Sequence, residues 1–567
     1  MIGYKQIYFV ASLFFIMVFQ GANGQSAQHC IPDNNYLHAP LAPQGFIRQG
    51  FGLTFYSDRE TNPYGGTLHG WGPLANGANN SSVDMVLVQV HWNLTHIGPG
   101  KTDFMAIEKQ IDEVIKAGKK VYLYPHVAFP PRWANIELSQ PKNGWINYFD
   151  THSHNLQLEW IALIAKKYGK DKRITAIRMS TFDHGESWVA DPLKMKLDSM
   201  AKGKGITSVE FAEPFILNIY KEFLKYSDPE KLLAHGGGLQ GKSLAWAIEQ
   251  GTGHETGTQQ LDFGGAHHFP RPNSASLKNG HLKVRTMAED GHKGLYVAES
   301  QCWPGWKKDA NIDSVRQSAL SFFCSHIVHG VNYSLWDEMI YNRHNYARLS
   351  GGIKIAPDWT GRLVKRGDES AKEWNDDDEV FRAAMWARTL LGTTDDTTPE
   401  VFVQLSSHYV AALKDTVKAF EHGMIMDFEK SKAIPVMQNN LLGGAEYIEE
   451  IFDHQRGYFA KSSSHFYFNL NKGFQKSLQN RIGDLLEVRV SYFDEGNEPF
   501  DLQYQQQYTG KVSAAIIKRE NSKEWRTACF LLTDPEVNSK ENFEIQINTD
   551  TQSPLTIGLI RVIKQYN

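Results

Sequence analysis

The chain has 567 residues, with 59 Lys and Arg against 63 Asp and Glu for a formal net charge of −4, and 12% of its residues are aromatic. That length exceeds one ordinary domain and leaves room for a barrel of about 250 residues plus a smaller module. A near-neutral chain with no basic stripe is unsuited to a phosphate backbone, so no nucleic acid partner is expected.

The first 24 residues join an early Lys5 to an apolar run and close on the small residues Ala22 and Gly24. This is the pattern of a signal peptide. The run over 7–19 is shorter than the roughly 20 apolar residues of a membrane span, and no later stretch approaches that length. The expectation is a secreted or periplasmic protein without membrane insertion, its mature chain opening with an N-terminal segment over 25–49. The four cysteines, Cys30, Cys302, Cys324 and Cys529, show no CxxC spacing. In an exported protein they pair or stay buried as thiols, and a zinc site is not expected.

Between 50 and 355, strand-length apolar runs alternate with helix-period segments. The strand candidates are GFGLTFY (50–56), VDMVLVQVHW (83–92), KKVYLYPHV (119–127), ITAIRMS (174–180), LLAHGGG (232–238), LDFGGAHHF (261–269), GLYVAES (294–300) and GVNYSLWD (330–337). Helical periodicity follows most of them, over 103–117, 154–168, 208–226, 242–250 and 313–329. Alternating β and α segments predict a parallel sheet, and eight strands apolar on both faces predict a closed (β/α)8 TIM barrel rather than an open doubly wound sheet. No GxGxxG turn favours the open sheet.

A charge-dense connector over 356–400 contains the helical segment EVFRAAMWARTLL. From 401 to 567 the period changes to two, in FVQL, YFAKSSSHFYFNL, LLEVRVSYFDEG, FDLQYQQQY, WRTACFLL, NFEIQIN and TIGLIRVIK. These predict a C-terminal antiparallel β-sandwich. The fold class read from the sequence is therefore α/β, a (β/α)8 barrel followed by a β-sandwich module.

Barrel chemistry gathers where strands end at the C-terminal mouth. Two carboxylates fall there: Glu186 after the fourth strand, in RMSTFDHGESW, and Glu299 ending the seventh, in GLYVAESQCW. Strands four and seven face each other across a barrel mouth. Cleaving a glycosidic bond takes one carboxylic acid to protonate the leaving oxygen and one carboxylate to attack or to activate water. Asp183, Glu289, Asp337 and Glu338 are rival carboxylates. A metal held by Asp183, His184 and Glu186 is disfavoured by their adjacency on one turn, and no GxSxG turn offers a nucleophilic serine.

With its acid/base position after strand four and its nucleophile position at the end of strand seven, the sequence resembles the clan A glycoside hydrolases over 50–337. VHWNLTH, VAFPPRWA and Trp336 fit the same pattern, and FYFNL, LEVRVSYFDEG and FDLQY resemble the β-sandwich appended to several bacterial polysaccharide-degrading enzymes. The resemblance implies Glu186 as general acid/base and Glu299 as nucleophile of a retaining hydrolase that needs no cofactor or metal. One departure stands out. Gly185 occupies the place where the clan carries Asn, which leaves His184, Asp183 or a side chain from another strand to replace its amide. A second lies at strand six, where His267 or His268 would orient Glu299 or bind a sugar hydroxyl.

Trp92, His126, Trp133, Trp188, Trp303 and Trp336, at or just beyond strand ends, are candidate sugar platforms, although each Trp alone suits core packing as well. The resulting expectation is a secreted hydrolase of a β-linked polysaccharide or oligosaccharide, with an algal galactan as one candidate. Two alternatives stand beside it: a noncatalytic glycan-binding barrel, and a polysaccharide lyase recruiting His126, His267 or Tyr333 as base.

Overall fold

The computed structural model describes residues 47–56, 74–141, 144–235, 238–260, 293–301, 320, 323–324, 326–328, 330–336, 379–405, 420–439, 458–478, 486–537 and 543–565. Eight parallel strands close a barrel: β1 (Gly52–Tyr56), β2 (Met85–His91), β3 (Lys120–His126), β4 (Ile174–Arg178), β5 (Leu232–His235), β6 (Gly253–Gln260), β7 (Tyr296–Gln301) and β8 (Tyr333–Trp336). β8 returns to β1, with Gly52 opposite Tyr333, so the sheet has no free edge.

The β2 sequence MVLVQVH explains why a near-continuous apolar run is needed, since all seven residues are buried. Met85 and Leu87 point inward with Tyr122, Tyr124, Ala176, Leu233, Val297 and Tyr333 to fill the barrel. Val86, Val88 and Val90 face outward into the layer beneath the helices. Full burial of each such side chain contributes about 1.5–3 kcal/mol. On the helix side, α1 (Met105–Lys116) buries Ile107, Ile111 and Val114, one stripe at helical spacing. The next helix, α2 (Thr151–Tyr168), starts at an Asp150 N-cap that accepts from the Ser153 backbone N–H at 3.0 Å. After α3 (Leu193–Gly203), α4 (Ser208–Tyr226) opens on a Thr207–Glu210 capping box, and α5 (Ser243–Glu249) precedes β6.

Seven barrel strands lie where the sequence predicts them. The sixth does not: β6 occupies 253–260, one segment earlier than the predicted 261–269, which lies outside the described residues. GHETGTQQ is too polar to read as a buried strand. It holds its place because Glu255, fully buried, finds Arg178 and Tyr122 inside the barrel.

The connector's helical segment is α6 (Glu379–Leu390). Beyond it stand two antiparallel sheets. The larger has the order β10 (Phe420–His422), β9 (Glu400–Gln404), β20 (Leu555–Lys564), β13 (Tyr458–Ser463), β12 (Ile434–Asn439), with β15 (Leu486–Phe493) pairing both β20 and β18 (Trp525–Leu532). The smaller runs β11 (Met424–Met426), β14 (His465–Leu470), β19 (Glu544–Thr549), β16 (Phe500–Gln506), β17 (Gly510–Ile517). Both contribute to one apolar cluster, including Val403, Val490 and Ile560 from the larger and Phe468, Leu502 and Ile547 from the smaller.

The opposite face of the larger sheet joins the barrel's own core. Phe402, Phe493, Trp525 and Leu559 belong to the same cluster as Trp386 and Leu390 of α6 and Leu53 of β1. At this junction Glu400, fully buried, receives Arg561 Nε and Nη2 at 2.6 and 2.7 Å and Trp386 Nε1 at 3.0 Å. Arg388 of α6 pairs with both oxygens of Asp84 at the foot of β2, at 2.8 and 2.7 Å. Cys324 is a buried free thiol and Cys529 is disulfide-bonded. No helix among the described residues is long and apolar enough to cross a membrane.

Candidate functional site

Parallel strands deliver their last residues to one end of the barrel. There His91, the last residue of β2, sits in register with His126, the last of β3, and their rings lie 5.2 Å apart. Tyr124, one inward position below, has its ring 5.4 Å from that of His126 and carries the Arg178 guanidinium 4.3 Å above its face. Arg178, the last residue of β4, donates to Glu255 of β6 from Nε at 2.7 Å and from Nη2 at 2.5 Å. The Tyr122 hydroxyl donates to the same carboxylate. Burial, then the Glu255 carboxylate, raises the Tyr122 pKa well above its ordinary value, so it stays a donor. The pair is nearly dry, with Arg178 and Glu255 side chains 4% and 0% exposed. Its two-point geometry offsets desolvation and ties β4 to β6 across the intervening β5.

Glu186 stands above this layer on a short 3-10 turn, Asp183–Gly185, that follows β4. Four backbone hydrogen bonds fix the turn: Thr181 N–H to Gly185 O, Phe182 N–H to Glu186 O, Gly185 N–H to Phe182 O and Glu186 N–H to Asp183 O, at 2.9–3.2 Å. Gly185 has φ +74°, and a Cβ there would lie 2.6 Å from Tyr124 Cε2 and 2.8 Å from Ser180 Oγ. Only glycine fits both the left-handed backbone and the ring beneath it. The position where the resembled clan carries Asn is therefore filled, in this chain, by the floor of the turn.

Asp183 anchors the turn from behind. Its Oδ2 accepts the Ala190 backbone N–H at 2.8 Å, and burial pushes its pKa up to about 7 with Tyr148 beside it. Glu186 itself is half-buried, and its Oε2 accepts the Trp188 indole N–H at 2.7 Å. Around Trp188 pack Trp145, 6.0 Å away in an edge-on contact, and the small cluster of Ala128 and Phe129.

The second predicted carboxylate, Glu299, lies on β7 in register with Leu335 of β8, one pair before Ser300 and Trp336. It is two residues beyond Val297, a barrel-interior residue. Glu186 and Glu299 are thus carried by β4 and β7, which stand three strands apart one way around the closed ring and five the other.

The other predicted site residues divide clearly. His126 and Trp188 are at the mouth. Trp133 is half-exposed on the turn Arg132–Ala134 after β3, with its indole N–H on the His96 carbonyl at 2.7 Å. Trp92 is a correction: it is fully buried, stacked 5.4 Å from Trp160 with its N–H on His96 Nδ1 at 3.1 Å, and has no face left for a sugar. Tyr333 is another. It starts β8 rather than ending it, 1% exposed, and burial with the nearby Asp84 carboxylate pushes its pKa up to about 12. That places it at the N-terminal end of the strand, away from the C-terminal strand ends that carry Arg178 and His126. Trp336 ends β8. His184 lies within the 3-10 turn. His267, His268 and Trp303 lie outside the described residues.

Sequence reading missed His91, Tyr124, Arg178 and Glu255. The period-two parity of β2, β3 and β4 carried a signal for the first three, since His91, Tyr124 and Arg178 share the inward face with Leu87, Tyr122 and Ala176. Among the described residues no group of three or more His, Cys, Asp or Glu side chains is arranged to hold a metal ion.

No protein-family model and no curated protein sequence matches the chain. Among solved structures, it is similar to the catalytic domain of a β-amylase from Paenibacillus polymyxa at 12% identity, covering 56% of this chain and 97% of that one with a TM-score of 0.34. A β-galactosidase from the psychrophilic Marinomonas ef1 is 12% identical over 50% of this chain and 53% of its own, with a TM-score of 0.32. The catalytic core of a xylanase A is 8% identical over 50% and 86%, with a TM-score of 0.29. Barrels this distant host many chemistries, so function has to be argued from the site.

Proposed function

We propose that the chain is a retaining glycoside hydrolase of β-linked polysaccharides or oligosaccharides, with Glu186 as general acid/base and Glu299 as nucleophile. The observation that carries this reading is the turn that presents Glu186: a half-buried carboxyl at the end of β4, fixed by four backbone hydrogen bonds and by the Trp188 indole. In the first step Glu186 protonates the glycosidic oxygen as the C–O bond breaks, and the Glu299 carboxylate bonds to the anomeric carbon. In the second, Glu186 takes a proton from water as that water displaces Glu299, restoring both carboxyls and the β configuration.

The half-exposed rings of Trp133 and Trp188, over the buried His91 and His126, are of the kind that suits a sugar. No cofactor enters the scheme. The sharing of one apolar cluster by the two C-terminal sheets supports a β-sandwich, and its outer face, continuous with the barrel core, supports bracing rather than glycan capture as its main role. Export through the segment 1–24 completes the proposal, with an algal galactan among the first substrates to try.

The test is Glu186→Gln and Glu299→Gln against a panel of aryl β-glycosides and polysaccharides. The reading expects each substitution to lower turnover of unactivated substrates by about 10²-fold or more. Wild-type-like turnover in either variant overturns it, and an unsaturated product absorbing in the near ultraviolet would point to a lyase instead.

A further inference from the structure

Trp188 sits two residues beyond Glu186, and its only polar atom is spent on that carboxyl. An indole N–H donates and cannot accept. At 2.7 Å from Oε2, it obliges that oxygen to act as acceptor whether Glu186 is ionised or protonated. The better acceptor of a neutral carboxyl is its carbonyl-type oxygen, so this bond favours the proton on Oε1.

The indole is not left to find this pose by itself. Its ring meets Trp145 edge-on at 6.0 Å, and Trp145 is 8% exposed against Ala128 and Phe129. Phe129 holds a left-handed backbone, φ +55°, rare for an aromatic residue and costing about 1–3 kcal/mol. It is held there by its N–H on the Gly144 carbonyl at 2.8 Å. A Cβ at Gly144 would fall within the Phe129 ring. A strained residue with a matched glycine, packed behind an indole that ends on one carboxyl oxygen, is a supporting shell of the kind that fixes a reacting group.

We propose that Trp188 is a positioning residue that selects Oε1 of Glu186 as the proton-donating oxygen, braced by Trp145 and Phe129. This rests on the reading of Glu186 as the acid. The proton leaves Oε1 for the glycosidic oxygen, whose bond to the anomeric carbon breaks with the electron pair going to oxygen. Oε2 keeps its hydrogen bond to Trp188 throughout and takes up the charge left on the carboxylate. Without the indole, the carboxyl loses the hydrogen bond that distinguishes Oε2 from Oε1, and donation becomes less effective.

The test uses the mature chain and compares Trp188→Phe with Glu186→Gln. The readout is kcat/KM on aryl β-glycosides of the sugar that the wild type cleaves, running from a dinitrophenol leaving group to unsubstituted phenol. A leaving group as good as dinitrophenolate needs no proton. Trp188→Phe is expected to lose about tenfold or more on the phenyl glycoside and less than about threefold on the dinitrophenyl one. An equal loss on both would mean a merely structural role and overturns the proposal. No loss on either, with Glu186→Gln still sensitive to the leaving group, overturns the proposal and leaves Glu186 as the acid. If Glu186→Gln is itself insensitive, the functional reading falls and takes this inference with it.

A second measurement needs no substrate. The indole ¹H–¹⁵N resonance of Trp188, assigned by its loss in Trp188→Phe, moves upfield in Glu186→Gln as the bond to a carboxylate is replaced by one to an amide. A resonance unmoved by that substitution contradicts the contact on which the proposal stands.

Discussion

At Gly185 a left-handed backbone and the Tyr124 ring converge, and both favour the same residue. Asn tolerates the backbone but brings a Cβ into a ring that is itself pinned under Arg178. Gly185→Asn is therefore expected to destabilise the chain by about 1–3 kcal/mol, as overpacking does, and to lower turnover. A lowered denaturation midpoint checks it, and an unchanged midpoint speaks against the contact. Behind the turn, Asp183 has its pKa raised to about 7, so the folded chain holds a proton that the unfolded chain releases above its ordinary value of 3.8. Its contribution to stability is full below about pH 4 and is lost as pH rises towards 7. Two buried histidines act in the opposite sense: His154 and His254, each lowered to about 4 by burial, favour the folded state increasingly as pH rises through 4 to 6.5. Asp183→Asn removes the opposing group, so its stability should climb with pH more steeply than the wild type's, by up to about 1.4 kcal/mol per pH unit. Parallel curves from pH 4.5 to 7 would contradict the assignment. The position of Glu186 on the turn after the fourth strand was legible in the sequence. The reason for Gly185 was not, because it lies in Tyr124, 61 residues earlier in the chain and brought beneath the turn only by the barrel.

Among the elements, β6 carries the clearest lesson. Apolar runs of strand length mark seven barrel strands, because those strands bury both faces and must be apolar on both. β6 escapes that logic, since its inward Glu255 is satisfied by an arginine from β4 and a tyrosine from β3. A local pattern cannot reveal partners drawn from other strands, and the neighbouring LDFGGAHHF offered a stronger apolar signal. The short C-terminal strands 420–422, 424–426 and 434–439 and the half-exposed 510–517 were passed over for a related reason, having too little alternation of their own. If the pair is what holds β6 in place, Glu255→Gln should cost about 3–5 kcal/mol by removing the carboxylate charge from beside a buried guanidinium, and adding Arg178→Met should restore much of it. Denaturation midpoints of the two variants decide the matter, and a single substitution as stable as the wild type would show that β6 is held by other contacts.

Across the whole molecule, the barrel and the larger C-terminal sheet share one apolar cluster, cross-linked at the junction by Glu400, Arg561 and Trp386. The change of period near 401 coincides with the start of β9 at Glu400, but a period cannot say what the strands pack against. The continuity of the core is a tertiary fact, made by residues such as Phe402 and Trp525 that alternate with the module's own core. A mature chain ending at residue 396 would bare Trp386, Leu390 and Leu53 to water, and it is expected to aggregate or bind hydrophobic dyes. A soluble, folded truncated barrel that has lost only polymer binding would reverse the assignment of bracing.

The central claim is the pairing of Glu186 with Glu299 in double displacement, and covalent trapping tests it most directly. The wild-type chain is incubated with a 2-deoxy-2-fluoro β-glycoside of a sugar it cleaves, bearing a dinitrophenyl or fluoride leaving group, then digested and sequenced by mass spectrometry. The account predicts one glycosyl adduct, on Glu299 in the segment GLYVAESQCW. Turnover without any adduct, or an adduct on Glu186, Asp183 or Glu255, would contradict it.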